Sequence, residues 1–346
     1  MRVFVTGGTG FLGGSLIRQL LEQGQDVVAL VRSTSRGQAL AELASQLPGR
    51  LDFTEGDITD KDSMRAGMSG VDGVYHLAAW YKIGANARET KLARSINVDG
   101  TRNVLELMRE LSVPKGVYTS TLTVNSDTRC VEVDETYRYD GPHLSEYDRT
   151  KAAAHAIALK EIEQGLPLVV AMPGAIYGPD DRSSIGELMR RYLKRKLPLL
   201  SRQAEYCWAH VDDVAAAHLL CMDKGQPGEK YIVCGQRCSL VDAFAMMEEI
   251  CGVPKPKRSA GPGMLRFLAG FMQAFQWMRL PPIYHPESLR VGAQATYLGN
   301  NAKAKRELGF APRPLREGLE QTLRYEMAKL GLPFPDASSS EAERSA

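Results

Sequence analysis

The run Thr6-Gly7-Gly8-Thr9-Gly10-Phe11-Leu12-Gly13 places four glycines in eight residues, between the apolar run Val3–Thr6 and the helical stretch Ser15–Gln23. Backbone without Cβ atoms can turn tightly and bring its N–H groups against an anion. The helix that follows points its positive end at the same place. A glycine cluster alone is a weak signal. Set after a first strand and before a first helix, it predicts a pyrophosphate cradle built from Gly7, Gly10, Phe11, Leu12 and Gly13.

A second group with chemical meaning is Arg32, at the end of the apolar run Asp26–Val31 and 19 residues beyond Gly13, with Arg36 close behind. Sites for NAD place an acid about 20 residues past the glycines, on the ribose 2′-hydroxyl. Here a guanidinium holds that place and no acid stands near it in the sequence. A guanidinium suits a 2′-phosphate, so NADP(H) is favoured and NAD(H) is possible. The other reading is that Arg32 stacks on adenine and both cofactors bind.

Elements that could hold these groups alternate along the first half. Strands are predicted at Val3–Thr6, Asp26–Val31, Leu51–Glu55, Gly73–Leu77, Gly116–Thr121 and Leu168–Met172. Helices are predicted at Ser15–Gln23, Gln38–Gln46, Ser95–Leu111 and Tyr147–Gln164. This βαβ rhythm predicts an α/β, Rossmann-type, doubly wound parallel sheet. After Pro173 the rhythm breaks, and a smaller C-terminal α/β region is expected to bind substrate. The expected division is 1–178 for the dinucleotide, with 207–235 returning to it. Residues 179–206 and 236–330 would form the substrate region, and 335–346 a small, polar, disordered tail. Within the second region lie a basic helix, Glu187 to Lys196, read as a solvated face, and an apolar helix, Met264–Met278. That apolar helix either roofs a hydrophobic pocket, packs a small core or touches a membrane surface.

Composition narrows the class. Of 346 residues 44% are hydrophobic and 24% charged, with a net charge of +2, which excludes a disordered chain and demands no nucleic-acid partner. No signal peptide and no membrane span is read, and the expected location is cytoplasmic. The six cysteines show no CxxC pair. Cys234 and Cys238 have a spacing that could bind metal, but reduced thiols are the reading and no metal is expected.

Seven motifs in order make the chain, over roughly residues 1 to 325, resemble the extended short-chain dehydrogenase/reductase superfamily, the NAD-dependent epimerases and dehydratases. The glycine run looks like its cofactor loop, and Gly56-Asp57-Ile58-Thr59-Asp60 like the turn that meets adenine. His76-Leu77-Ala78-Ala79 is similar to the fourth-strand motif beneath the dinucleotide, and Asn97 to Asn103 to a helix signature. Tyr147-Asp148-Arg149-Thr150-Lys151 looks like the catalytic YxxxK. Pro173 to Pro179, which includes Ile176, and His210 to Val214 match later motifs.

The resemblance implies that Tyr147 is the acid–base group and that Lys151 assists it and holds the nicotinamide ribose. Four residues apart on a helix, the two share a face. A phenol near pKa 10 is a poor acid–base at neutral pH, and a nearby ammonium is expected to lower that pKa. The position of the family's catalytic Ser falls on Thr121, with Ser120 as rival. Asn97 is expected to contribute through backbone geometry and water, or else to cap its helix. Sugar-nucleotide members carry an Arg where this chain has Tyr206, so a diphosphate loses its clamp here.

The pattern is most similar to the dihydroflavonol reductase and 3β-hydroxysteroid dehydrogenase branches. Thr121 and Trp80-Tyr81 depart from it and leave the substrate open. The implied function is an NADP(H)-dependent oxidoreductase acting on a ketone or secondary alcohol of an apolar, polycyclic, phenolic or steroid-like small molecule. The alternative is a sugar or nucleotide-sugar epimerase or dehydratase with tightly bound NAD(P). A non-catalytic NADP sensor would be expected to have lost Tyr147 and Lys151. A homodimer through helices 95–111 and 147–164 is expected from the resemblance and from the small residues of the second helix, Ala152, Ala153, Ala154, Ala156 and Ala158.

Overall fold

Side chains alternate along each central strand and so divide between two cores. In β1 (Arg2–Thr6), Val3 and Val5 point to one face of the sheet and Phe4 to the other. In β2 (Asp26–Val31) Val27 and Ala29 join the first set and Val28 and Leu30 the second. Strands buried on both faces in this way belong to parallel sheets covered by helices. A computed structural model describes residues 1–273, 285–294 and 296–335.

The central sheet has seven parallel strands. Five more follow the first two: β3 (Arg50–Glu55), β4 (Gly73–His76), β5 (Gly116–Thr119), β6 (Leu168–Pro173) and, further along, β10 (Lys230–Val233). Their order is β10-β6-β5-β4-β1-β2-β3. The chain therefore winds outward from β1 to β3 and then crosses back to β4, which opens a crevice beyond the carboxyl ends of β1 and β4. Helices Thr101–Glu110 and Glu146–Glu163 cover one face through Val104, Met108, Ala154 and Ala158. Helices Phe11–Glu22 and Val211–Asp223 cover the other through Leu16, Leu20, Val214 and Ala217.

A second sheet stands beside the crevice. Its strand β9 (Glu205–His210) pairs with β7 (Ala175–Tyr177), β11 (Arg237–Ser239) and β13 (Thr296–Tyr297). A short third pair joins β8 (Leu200–Ser201) to β12 (Ser259–Ala260). Tyr177, Trp208, Phe244 and Leu319 centre a separate core behind these strands.

The α/β fold is as expected, with informative differences at element ends. The first helix begins at Phe11 rather than Ser15. Gly13 thus lies inside its first turn, where a Cβ would come within 2.1 Å of Gly7 O. The glycine that reads as loop is what lets the helix start early. The predicted helix Ser95–Leu111 is the end of a longer one: Ala87–Arg94 leads through a π-helical turn, Ser95–Gly100, into Thr101–Glu110. Helices Lys61–Met68, Leu240–Cys251, Ala302–Leu308 and Leu315–Lys329 were not legible as elements. The apolar helix is described as Pro262–Gln273, and the rest of its predicted span, like the tail beyond Pro335, lies outside the described residues. Among the described residues no helix is long and apolar enough to cross a membrane.

Candidate active site

The crevice is one continuous cavity of about 930 Å³ that runs from Gly7 and Gly10 past Tyr147 to Tyr206 and Tyr297. Every cofactor and catalytic position read from the sequence, Gly7 through Ile176, lies in its wall.

At one end, Gly7 turns with φ +77°, and a Cβ there would meet Ala78 N at 2.7 Å. Only glycine accommodates both the angle and the neighbour. Gly10 N donates to Gly7 O at 2.9 Å and closes the turn. The helix then starts at Phe11 with no side-chain cap and no acid in its first turn. Its first N–H groups and the positive end of its dipole are left for an anion, with no carboxylate to repel one. Thr6 Oγ1, 2.8 Å from His76 Nδ1, accepts from Ala78 N at 3.2 Å, and His76 Nε2 lies 3.0 Å from Thr101 Oγ1. Burial, with the charge of Lys151 adding, lowers the His76 pKa to about 3. The ring is therefore a neutral strut that holds β1 to β4 and fixes Leu77, Ala78 and Ala79 beneath the cavity.

Arg32 and Arg36 form the wall beyond the glycines. An acid does come near them in space: the β2–β3 register sets Glu55 opposite Val31. Glu55 accepts from Thr34 N at 2.8 Å and is not part of the cavity wall. Asp57 is turned by its own loop, since its Oδ1 accepts from Thr59 N and Thr59 Oγ1 at 2.9 and 2.8 Å. With Ile58 it closes that end. The glycine cradle, the uncapped helix and the cationic wall fit a dinucleotide along this side.

Helix Glu146–Glu163, capped by Ser145, carries Tyr147 and Lys151 into the middle of the cavity. Lys151 Nζ donates to Thr119 O at 2.8 Å and to the Tyr118 hydroxyl at 3.3 Å, and burial lowers its pKa to about 7. Thr121 shares the cavity wall with the Tyr147 phenol, and its Oγ1 accepts from Thr123 N at 3.2 Å. Ser120 Oγ lies instead 2.8 Å from His155 Nδ1. The expectation that the ammonium lowers the phenol's pKa is not met. Burial raises it, and Tyr81, Asp148 and Tyr118 add to the rise, with only Thr121 opposing. The phenol is thus held in its proton-donating form at neutral pH.

Asn97 neither caps its helix nor reaches the cavity wall. The cap is Asn86. From the π-helical turn Asn97 donates to Trp80 O and Thr150 Oγ1, both at 3.0 Å, and accepts from Trp80 N at 2.7 Å. It ties the segment after β4 to the helix bearing Tyr147.

The far end of the cavity joins three tyrosines, Tyr81, Tyr206 and Tyr297, to the polar run Asp181 to Ser184. Tyr206, at the place of the sugar-nucleotide arginine, stacks on Tyr297 with ring centres 6.2 Å apart. Tyr81 meets Tyr147 edge-on at 4.8 Å, and its hydroxyl lies 2.6 Å from Ser184 Oγ. Among the described residues of the apolar helix, Pro262–Gln273, none lies in the cavity wall. Its Leu265 and Ala269 pack with Leu289 and Ala293 of helix Pro286–Gln294, whose Val291 reaches the wall. Sequence reading missed Tyr81, Tyr297 and Asp148 as wall residues. Asp148 stood inside the YxxxK motif, whereas nothing local marked Tyr297. Among the described residues no cluster of His, Cys, Asp or Glu could hold a metal, and all six cysteines are free.

Residues 3–234 match the NAD dependent epimerase/dehydratase family. The chain is 33% identical over 333 residues, 93% of each chain, to a Synechocystis sp. protein provisionally named dihydroflavonol 4-reductase. It is 31% identical over 331 residues to the 3 beta-hydroxysteroid dehydrogenase/Delta 5-->4-isomerase of Mycobacterium tuberculosis, covering 90% of this chain and 86% of the other. A dTDP-glucose 4,6-dehydratase of Streptomyces venezuelae, solved with NAD bound, superposes with a TM-score of 0.77 at 24% identity, covering 96% of this chain and 98% of the other. That last likeness is one of fold.

Proposed function

The chain belongs to the NAD dependent epimerase/dehydratase family, and from that premise we propose that it is an NADP(H)-dependent oxidoreductase. Its substrate is a ketone, or in reverse a secondary alcohol, of an apolar, polycyclic, phenolic or steroid-like molecule. The observation that carries this reading is the composition of the cavity: a dinucleotide cradle, a phenol poised to donate, and a far end with Tyr81, Tyr206 and Tyr297, where Tyr206 takes the place of the sugar-nucleotide arginine and the cation in that wall, Arg182, is paired with Asp180. The names of the relatives, a dihydroflavonol reductase and a hydroxysteroid dehydrogenase, support the same substrate class.

The dinucleotide, when bound, supplies the hydride. Tyr147 gives its proton to the carbonyl oxygen, and Thr121 orients that phenol and the oxygen together. Lys151 sits one turn below, where it can hold the ribose and replenish the proton. A phenol kept protonated by burial has the proton that reduction of a carbonyl requires. Arg32 and Arg36 would receive a 2′-phosphate, because Glu55 is engaged by Thr34 N and stands outside the wall, and Asp57, which is in the wall, is held by Thr59. We also propose a cytoplasmic location, which six unpaired cysteines suit, and a homodimer through helices Thr101–Glu110 and Glu146–Glu163.

The test is a panel of apolar cyclic ketones with purified protein, following NADPH absorbance. Stoichiometric consumption of NADPH is expected. Redox-neutral conversion of a sugar nucleotide, with no ketone reduced, would replace this reading with the epimerase or dehydratase one.

A further inference from the structure

One half-buried carboxylate bridges three separate pieces of the cavity wall. Glu287 is the second residue of helix Pro286–Gln294. Its Oε2 accepts from Gly84 N and from Ala85 N, the latter at 3.1 Å. Its Oε1 accepts from Glu146 N. Three backbone N–H groups of two segments thus converge on one side chain. Donors cannot bond one another, so only an acceptor set between them can join the segments, and an ionised acceptor makes the strongest such bonds.

Each segment leads directly to the reacting groups. The first carries Trp80, Tyr81 and Ile83 into the wall, and Tyr81 meets Tyr147 edge-on at 4.8 Å. It is packed closely onto the start of the Glu287 helix: Gly84 turns with φ +85°, and a Cβ there would come within 2.7 Å of His285 Cγ. The second segment is the N-terminus of helix Glu146–Glu163, whose first N–H groups have no partner inside the helix. Ser145 Oγ accepts from Asp148 N at 3.0 Å, which leaves Glu146 N to Glu287. A negative charge from another element therefore sits at the positive end of the helix that bears Tyr147. One turn beyond Glu287, Val291 enters the same wall.

We propose that Glu287 is a positioning residue, whose carboxylate locks the segment carrying Tyr81 and the helix carrying Tyr147 to the helix carrying Val291 and so holds the proton donor against the substrate. This rests on the reductase reading above, in which Tyr147 gives the proton, and adds the group that keeps it in place. Glu287 itself touches neither substrate nor cofactor.

The experiment pairs amide hydrogen exchange, read by mass spectrometry, with steady-state kinetics on a ketone and NADPH. Glu287→Gln keeps the volume but replaces one accepting oxygen by an NH₂ that faces a donor. Exchange in peptides covering 82–86, 144–148 or both should quicken by about ten- to a hundredfold, the worth of one hydrogen bond to a charged group. Peptides from β6 should exchange as before. The kcat should fall by about ten- to a hundredfold, as a small misplacement of a reacting group does, with NADPH affinity unchanged. A merely structural role would instead loosen β6 and weaken NADPH binding as well. Glu146→Pro keeps the test decisive should Glu287→Gln fold poorly. Proline suits the first helical position, and Ser145 before it is already extended, at φ −137° and ψ 160°. That variant deletes only one of the three N–H groups, so kcat should fall while 82–86 stays protected. Unchanged exchange in both segments of Glu287→Gln, or an unchanged kcat in either variant, overturns the proposal. Failure of the unmodified protein to reduce any ketone overturns the reductase reading instead, and exchange still decides whether Glu287 joins the two segments.

Discussion

Ser120 and Thr121 are neighbours, yet Ser120 Oγ lies 2.8 Å from His155 Nδ1 while Thr121 Oγ1 accepts from Thr123 N at 3.2 Å and shares the cavity wall with Tyr147. The extended backbone at the end of β5 sends successive side chains to opposite sides. Burial lowers the pKa of His155 to about 3, so its contact with Ser120 joins two neutral groups. Thr121→Val should therefore lower kcat roughly tenfold or more, the loss of one hydrogen bond at the reacting oxygen, with little change in NADPH affinity. Thr121→Ser should keep most activity and Ser120→Ala should be milder than Thr121→Val. Steady-state kinetics on any ketone that the enzyme reduces decides between the two hydroxyls.

Tyr147→Phe removes one oxygen and leaves the ring against Tyr81. If the phenol is the proton donor, NADPH should bind as before, by fluorescence titration, while turnover falls by about 10²–10⁴-fold. Normal turnover in this variant would remove the mechanism and leave only the fold.

How far the sequence reaches is clearest at the two ends of the cavity. The Thr6–Gly13 turn, Arg32 and the Tyr147–Lys151 pair are local patterns, set by neighbours within one turn or strand, and they were legible. Glu55 was not seen beside Arg32 because a parallel register between β2 and β3 leaves no trace in either strand alone. Tyr297 reaches Asp148 across 149 positions, through the pairing of β13 with β9. No periodicity in the chain announces such a contact. The raised pKa of Tyr147 was missed for the same reason: it depends on burial, to which the electrostatics of Tyr81 and Asp148 add, and not on the Lys that shares its helix.

Cofactor choice is open to a direct measurement. With Arg32 and Arg36 in the wall and Glu55 held by Thr34, NADPH should bind more tightly than NADH. Arg32→Asp should narrow or reverse that difference, because a carboxylate repels the 2′-phosphate and accepts from a free 2′-hydroxyl. Equal affinities in the unmodified protein would sink the NADP(H) assignment.

Assembly can be read from mass in solution. Ala156 is exposed on helix Glu146–Glu163, among small residues that permit close helix approach. Sedimentation at micromolar concentration should give twice the 38.1 kDa chain mass. Ala156→Glu should shift the protein toward the monomer. A single 38.1 kDa species without any substitution would count against this interface.

Lys151 carries a stability signature that needs no substrate. Burial lowers its pKa from 10.5 to about 7. Between those values the unfolded chain binds a proton that the folded one does not, so stability rises with pH across that window. The contribution is fully present above the unfolded pKa and is lost as pH falls through about 7. A buried ammonium thus weakens the apo-protein in acid, although catalysis needs that ammonium near Tyr147. Lys151→Met, which fills the same space without charge, should be the more stable protein at pH about 6, by more than about 1 kcal/mol, since each unit of pKa shift is worth about 1.4 kcal/mol. Its advantage should shrink steadily as pH rises toward about 10. The same variant should lose both turnover and NADPH affinity, since the ammonium serves the phenol and the ribose together. Urea unfolding of both proteins at several pH values measures the first effect and fluorescence titration the second. A Lys151→Met advantage that stays constant from acid to alkaline pH would mean that the lysine is not buried as a charge, and would undo the geometry assigned to the centre of the site.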